Sequence, residues 1–354
     1  VTALTYARAR LFLGISNVGF WVLVSATLLW KPIDLSLLAL ALIRVLGSLP
    51  FDVLGGFVLP RQYGLLPENE TAAQFFGKLM RGAFAHAAII SVFLIFFFAL
   101  PSFLYRILIF AFFELALTLF QLSFAQTVSP LKTQSDISEE DHQMQPPLLF
   151  VKTTDPGFVG GWAGQRLILP EAWRTALPPD ALAIQILRRK LTRMSGAWLR
   201  GVVGAVGFNC VGVVLSLLYP GLTPTKFVAL STLWSFLGVL VLPSLSRPAV
   251  FASDRLALDA GVAPEALKET ILALDRRQDN EPERPQHIET IFHPIPSAGT
   301  RIRAIESQKE LSKIGGWQLL RTALYLSWAS GSLLSRAVHC NIGRPELWVY
   351  FPGD

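Results

Sequence analysis

Twenty consecutive residues, Leu11–Trp30, carry no charge. A helix needs about 20 apolar residues to cross the hydrocarbon core of a bilayer. Backbone polar groups in lipid must be satisfied internally, so such a run confines the chain to a few architectures. Five more runs follow. Ile33–Leu59 is apolar but holds Asp34, Arg44 and Asp52. Ala83–Tyr105 is charge-free and rich in Phe, and Ile107–Val128 has one acid, Glu114. Gly201–Tyr219 and Phe227–Leu245 carry no charge. The pattern predicts six membrane helices, grouped four and two. Only 16% of residues are charged, against about 25% in ordinary soluble domains. Leu324–Val338 is apolar but short and contains several Ser; it reads as a buried or interfacial helix rather than a seventh crossing.

Basic residues orient the spans. Arg8 and Arg10 precede the first, Arg61, Lys78 and Arg81 follow the second, and Lys132 follows the fourth. Arg188, Arg189, Lys190, Arg193 and Arg200 precede the fifth, and Arg247 follows the sixth. The opposite side has only Lys31, Arg106 and Lys226. The positive-inside rule then places both termini and both long polar segments in the cytoplasm, as in a multi-pass protein of a bacterial inner membrane. The net charge of +6 marks cytoplasmic loops. No basic stretch is interleaved with stacking aromatics, so nucleic acid is not expected as a partner. The expected layout is a four-helix membrane region at 1–128 with a cytoplasmic loop at 60–82, a polar segment at 129–200, a membrane hairpin at 201–246, and a second polar segment at 247–354.

The first polar segment opens with the linker-like "KTQSDISEEDHQMQPP". "LLFVKTTDPGFVGGWAGQRLILP" has strand-like runs broken by Gly and Pro. Gly160, Gly161 and Trp162 form a candidate edge strand, and "GGW" reads as a strand bend rather than a phosphate loop. "PPDALAIQILRRKLTRM" reads as a helix with Pro-Asp at its start. In the second segment, "APEALKETILALDRR" is amphipathic, with Leu267, Ile271 and Leu274 on one face.

Other chemistry is thinly represented. Cys210 and Cys340 form no C-x-x-C. His86, His142, His287, His293 and His339 are not paired at helical spacing. G-x-S-x-G, P-loop and G-x-G-x-x-G patterns are absent from the sequence. The first residues lack a small-residue cleavage site after a short apolar region and do not read as a signal peptide.

The order of these pieces resembles the integral-membrane zinc metallopeptidases of the HtpX and CAAX-prenyl protease family. "FVGGWAGQRLILPEAW" looks like that family's edge strand and the strand leading to the active-site helix. "LPPDALAIQILRRKLTRMSG" is similar to its turn and the helix that normally carries H-E-x-x-H. A pair of spans follows, then "FASDRLALDAGVAPEAL", which resembles the helix normally reading E-x-x-A-D-x-x-A. "FHPIPSAGTRIRAIE" resembles the late T-H-P stretch. "LPRQYGLLPENETAAQFFGKLMRG" is similar to a loop after early spans in the CAAX-protease branch. The resemblance covers roughly residues 50–310. It implies a helical membrane bundle with a cytoplasmic α+β, zincin-type domain built from the two polar segments.

Zinc-peptidase chemistry needs two His at i and i+4, a Glu at i+1 as general base, and a third ligand from another helix. The resemblance puts those positions on Arg188, Thr192, Arg189 and Val250. Arg cannot lose its proton to coordinate a metal, and Val has no donor atom. Asp254, His293 and Arg301 match residues that support the site in the family. The expectation is a pseudo-peptidase without metal or cofactor, working as a structural or assembly subunit of a membrane complex, with lipid and other subunits as partners. An alternative is an active membrane zinc endopeptidase with non-standard ligands, and a second is a transporter-like protein. The arginines have three compatible readings: anchoring at an anionic membrane surface, filling the former site by bonding Asp254, or docking an acidic partner. Within the spans, Arg44 and Glu114 are costly in lipid and are expected to face inward as a pair. His86 lies toward a span end, where an interfacial position is expected.

Overall fold

The computed structural model describes residues 4–66, 70–129, 132–134, 147–153, 159–278, 280–307, 316–336 and 341–348. The chain divides into two compact units. Unit 1 comprises Val1–Leu131, Val206–Leu237 and Ala323–Tyr350, and unit 2 comprises Lys132–Ala205, Gly238–Thr322 and Phe351–Asp354.

Unit 1 begins with α1 (Tyr6–Trp30), capped by the Thr5 hydroxyl on the Arg8 N–H. Ser36 caps α2 (Leu37–Val53) in the same way. This helix runs through a π turn at Leu54–Val58 into α3 (Leu59–Gln62). A Thr71–Gln74 capping box starts α4 (Ala72–Ala99). It begins eleven residues before the expected span, because Lys78 and Arg81 hide a helix that hydropathy alone does not see. The expected 60–82 loop is thereby reduced to the residues between Gln62 and Ala72. Pro101 ends α4, since a residue before Pro disfavours helical geometry.

The fourth expected span is broken. Its parts, α5 (Phe103–Leu119) and α6 (Gln121–Val128), meet at 77° around Phe120. α9 (Ala197–Leu217) and α10 (Pro224–Asp259) follow later in the chain, and the division between the units falls inside both. α10 fuses the sixth expected span with the "FASDRLALD" helix into 36 residues, with Pro243 and Pro248 inside it. Among the described residues, five helices are long and apolar enough to cross a membrane, or six if the bent pair is one span.

The C-terminal stretch departs from the expected division. Ala323–Tyr350 belongs to unit 1, not to a second soluble segment. After α14 (Leu319–Leu326) it continues as 3-10 turns at Ser327–Ser330, Leu333–Arg336 and Pro345–Trp348. Every residue from Thr322 to Arg336 is buried. Eight helical residues reach about 12 Å, too short to span. Irregular backbone survives here because the protein itself satisfies it. The Leu333 N–H donates to Thr232 Oγ1 at 3.0 Å, and Tyr325 donates its hydroxyl to the Leu117 carbonyl at 2.7 Å.

Unit 2 contains a four-stranded sheet of order β1-β2-β4-β3. Its strands are β1 (Lys132–Gln134), β2 (Leu148–Lys152), β3 (Gly161–Ala163) and β4 (Arg166–Pro170). β2 and β4 are parallel, and β1 and β3 pair antiparallel at the two edges. β1 corrects the linker reading: polar Lys132, Thr133 and Gln134 pair with Lys152, Val151 and Phe150. An edge strand tolerates polar residues because its stability comes from backbone bonds and its outer side is open. Residues 135–146 of that linker, with His142, lie outside the described residues.

Helices of unit 2 are α7 (Ala172–Ala176), α8 (Pro179–Met194), α11 (Pro264–Gln278), α12 (Gln286–Phe292) and α13 (Ala298–Glu306). The sheet face packs Leu148, Phe150, Trp162, Leu167 and Leu169 against Trp173 and Leu177, with Leu274 from α11 and Leu182 and Ile186 from α8. Leu267 and Ile271 join Ala257 and Ala298 in a second cluster. The face foreseen for α11 is therefore the buried one.

Candidate functional site

α8 starts at Pro178-Pro179 with Asp180 in its first turn, which suits the positive end of the helix dipole. Its buried face is Ala181, Gln185, Arg188, Arg189 and Thr192, a spacing of one helical stripe. Arg188 and Arg189 are each only 1% exposed. They therefore do not act as surface anchors, and of the three readings of this helix the inward one describes them.

Asp254, on α10, joins three elements. Arg188 Nε donates to its Oδ1 at 2.5 Å. Arg301, on α13, donates from Nε to Oδ2 at 2.8 Å and from Nη2 to Oδ1 at 2.7 Å. Two guanidiniums thus share one buried carboxylate. Burial pushes Arg188 down to about 10, with Asp254 opposing the shift and Arg301 adding to it. Burial pushes Arg189 to about 9, and Arg188 beside it adds to the fall. A guanidinium keeps its proton in proteins, so these shifts measure the cost of burying charge. Arg189 Nη2 donates to the Val159 carbonyl at 2.6 Å, and its head lies 5.2 Å from the Trp173 ring.

Thr192 Oγ1 is 2.8 Å from the Arg188 carbonyl and 2.7 Å from Ser253 Oγ. Val250 is fully buried with Ala197, Ala249 and Trp317. His293 is buried at the C-terminal end of α12, and its N–H donates to the Glu289 carbonyl at 3.2 Å. The structure thus brings Arg188, Thr192, Val250, Asp254 and Arg301 to one region of unit 2, through direct bonds or sequence adjacency on α10.

The zinc that the resemblance implies does not fit the residues at these positions. Val250 offers no donor, Arg188 is a cation, and both oxygens of Asp254 are already engaged by guanidiniums. A dication there would meet two like charges at close range. Among the described residues no three of His, Cys, Asp or Glu are grouped to hold a metal ion.

Gly160, Gly161 and Trp162 lie at the sheet edge formed by β3. Gly160 has φ +76°, and a Cβ there would come within 2.0 Å of the Ile168 carbonyl oxygen. Trp162 is buried, and Arg193 lies 4.4 Å from its ring and 4.8 Å from that of Trp198. Arg193 and Ser253 were not singled out as site residues. The i+4 step from Arg189 to Arg193 and the tryptophans near both ends of the site were the available signal.

The expected Arg44–Glu114 pair is not formed. Arg44 Nη1 donates to the Gly331 and Ser332 carbonyls at 3.1 and 2.8 Å, and its Nη2 to Ser335 Oγ. Glu114 accepts from Asn209 Nδ2 at 2.9 Å. Arg44 bonds backbone carbonyls and Glu114 a side-chain amide in place of a salt bridge. His86 is fully buried against the Trp328 ring, 3.8 Å between centroids, not at an interface.

No protein-family profile matches this chain, and no curated protein matches it in sequence. Among solved structures it is similar to the crystal structure of S. mikatae Ste24p, with a TM-score of 0.60 and 14% identity over 83% of this chain and 80% of that one. The likeness and the apolar helices together make this chain a multi-pass integral membrane protein with the fold of Ste24p.

Proposed function

We propose that this chain is a catalytically inactive metallopeptidase homologue that works by binding, as a structural or assembly subunit of a membrane complex. The observation that carries the reading is Asp254 held between Arg188 and Arg301. An ionic lock with a desolvated guanidinium replaces the electrostatics of a metal and its activated water. Unit 2 is the cytoplasmic part in this reading, because the basic residues flank the spans on that side. The edge strand β3 supplies a place to hold an extended peptide by main-chain pairing.

The test uses the full chain purified in mild detergent. Metal analysis is expected to find no stoichiometric zinc, peptide cleavage to be absent, and defined membrane proteins to co-purify at fixed ratio. Stoichiometric zinc together with chelator-sensitive cleavage would establish an active peptidase and overturn the reading. Ion or solute flux through reconstituted vesicles would favour a transporter instead.

A further inference from the structure

Inside unit 1, positive charge and hydrogen-bond donors outnumber what faces them. Arg44 and Arg336 are 4% and 2% exposed, and among the described residues the carboxylate beside them is Asp52, 1% exposed. Asp52 is already used on both oxygens. Arg336 Nη2 donates to Oδ2 at 3.2 Å, and the Gly343 N–H donates to Oδ1 at 2.8 Å. Arg44 takes up the Gly331 and Ser332 carbonyls. Buried nitrogens still left without a partner are Arg44 Nε, Arg336 Nε and Nη1, Trp328 Nε1 and both ring nitrogens of His86.

These groups belong to one cluster. His86 contacts the Trp328 ring and lies 6.0 Å from that of Trp348. Arg336 sits 4.3 Å from the Trp348 ring. Both guanidiniums lie within electrostatic range of His86.

Among the described residues, two guanidiniums and one carboxylate leave an excess of one positive charge. An uncompensated charge away from water is among the most costly features a fold can hold. Water alone does not resolve it. Water can accept from these donors but carries no charge to cancel the excess. A monoanion supplies acceptors without donors and cancels the excess charge. The walls are the aromatic rings of Trp328 and Trp348, both at most 1% exposed, which suits a small, weakly hydrated ion.

We propose that Arg44, Arg336, His86 and Trp328 form a buried binding site for a small inorganic monoanion of halide type, enclosed by the C-terminal segment of unit 1. The site is separate from Asp254 and does not depend on the reading of that region.

The test uses the full chain in detergent, with bromide as the probe and gluconate as the bulky reference at equal ionic strength. The melting temperature is expected to rise saturably with bromide, by mass action on the folded state. Arg44→Gln removes the excess charge, keeps a donor for the Gly331 and Ser332 carbonyls, and is expected to abolish that rise. Should Arg44→Gln fail to fold, His86→Phe keeps a ring against Trp328 and removes a donor; bromide is then expected to bind about tenfold more weakly. A rise of equal size and affinity in the variant that folds would overturn the proposal. The deciding observation is anomalous scattering from the wild-type chain crystallised in bromide. A bromide peak within hydrogen-bond reach of Arg44 Nε or Arg336 is expected, and water or no density there would overturn it.

Discussion

Asp254 accepts from two arginines on two other helices, so its removal leaves two buried cations. Breaking a buried ion pair by deleting one partner costs about 3–5 kcal/mol. Asp254→Asn is expected to destabilise unit 2 by that order, measured by denaturant unfolding in detergent. Replacing Arg188 as well, with Leu, should recover part of the loss, because the uncompensated charge goes with it. This bond was legible as one of three readings of α8, from the match of "FASDRLALD" to a helix that carries a supporting Asp. The Ser253–Thr192 contact was not, because which neighbour of Asp254 faces α8 depends on the rotation of α10. Arg44 and Glu114 show the limit of charge matching. Opposite charges inside spans suggest each other as partners, but a buried guanidinium also bonds carbonyls that no composition pattern reveals.

At the scale of elements, β3 and the C-terminal segment each depend on close backbone approach. Gly160 combines positive φ with a carbonyl 2.0 Å from where a Cβ would stand. Gly160→Ala is expected to cost about 1–3 kcal/mol from backbone strain alone and to detach β3 from β4. Faster amide exchange at Gly161–Ala163, with β2 unchanged, is the readout. Gly343 has φ +69°, and a Cβ there would fall 2.1 Å from the Asp52 carbonyl oxygen. Its N–H also bonds the Asp52 carboxylate. Gly343→Ala is therefore expected to cost more than about 2 kcal/mol and to make the 323–348 segment sensitive to protease. The edge strand was readable from "FVGGWAG" because Gly in a strand marks a bend or close approach. β1 was not, since Lys132–Gln134 looks like linker until β2 is there to pair with it.

For the whole molecule, the order of spans predicts which loops share a side. The expected six crossings put the turns after α1, α4 and α9 on one side of the membrane and residues 63–71 and Glu265 on the other. Single cysteines at Lys31 or Gly221 are expected to react with a membrane-impermeant reagent added outside intact cells. Cysteines at Gly64 or Glu265 should react only after permeabilisation. Labelling of Gly64 from outside would invert the topology, and equal labelling of Lys31 and Gly64 would remove a span.

The sequence by itself determined that this is a membrane protein, where most spans lie, and that α11 carries one buried face. Those properties follow from local hydropathy and helical period, which act within one element. It also determined that α8 lacks His, since that needs only the residues themselves. The tertiary structure alone decided that Arg188 and Arg189 point inward, that α5 and α6 break at 77°, and that the stretch from Ala323 belongs to unit 1 rather than to the second polar segment. Each of these depends on which distant group compensates a charge or a free backbone bond. Such compensation comes from residues far apart in the chain, as Arg44 and Gly331 are, and no local pattern encodes it.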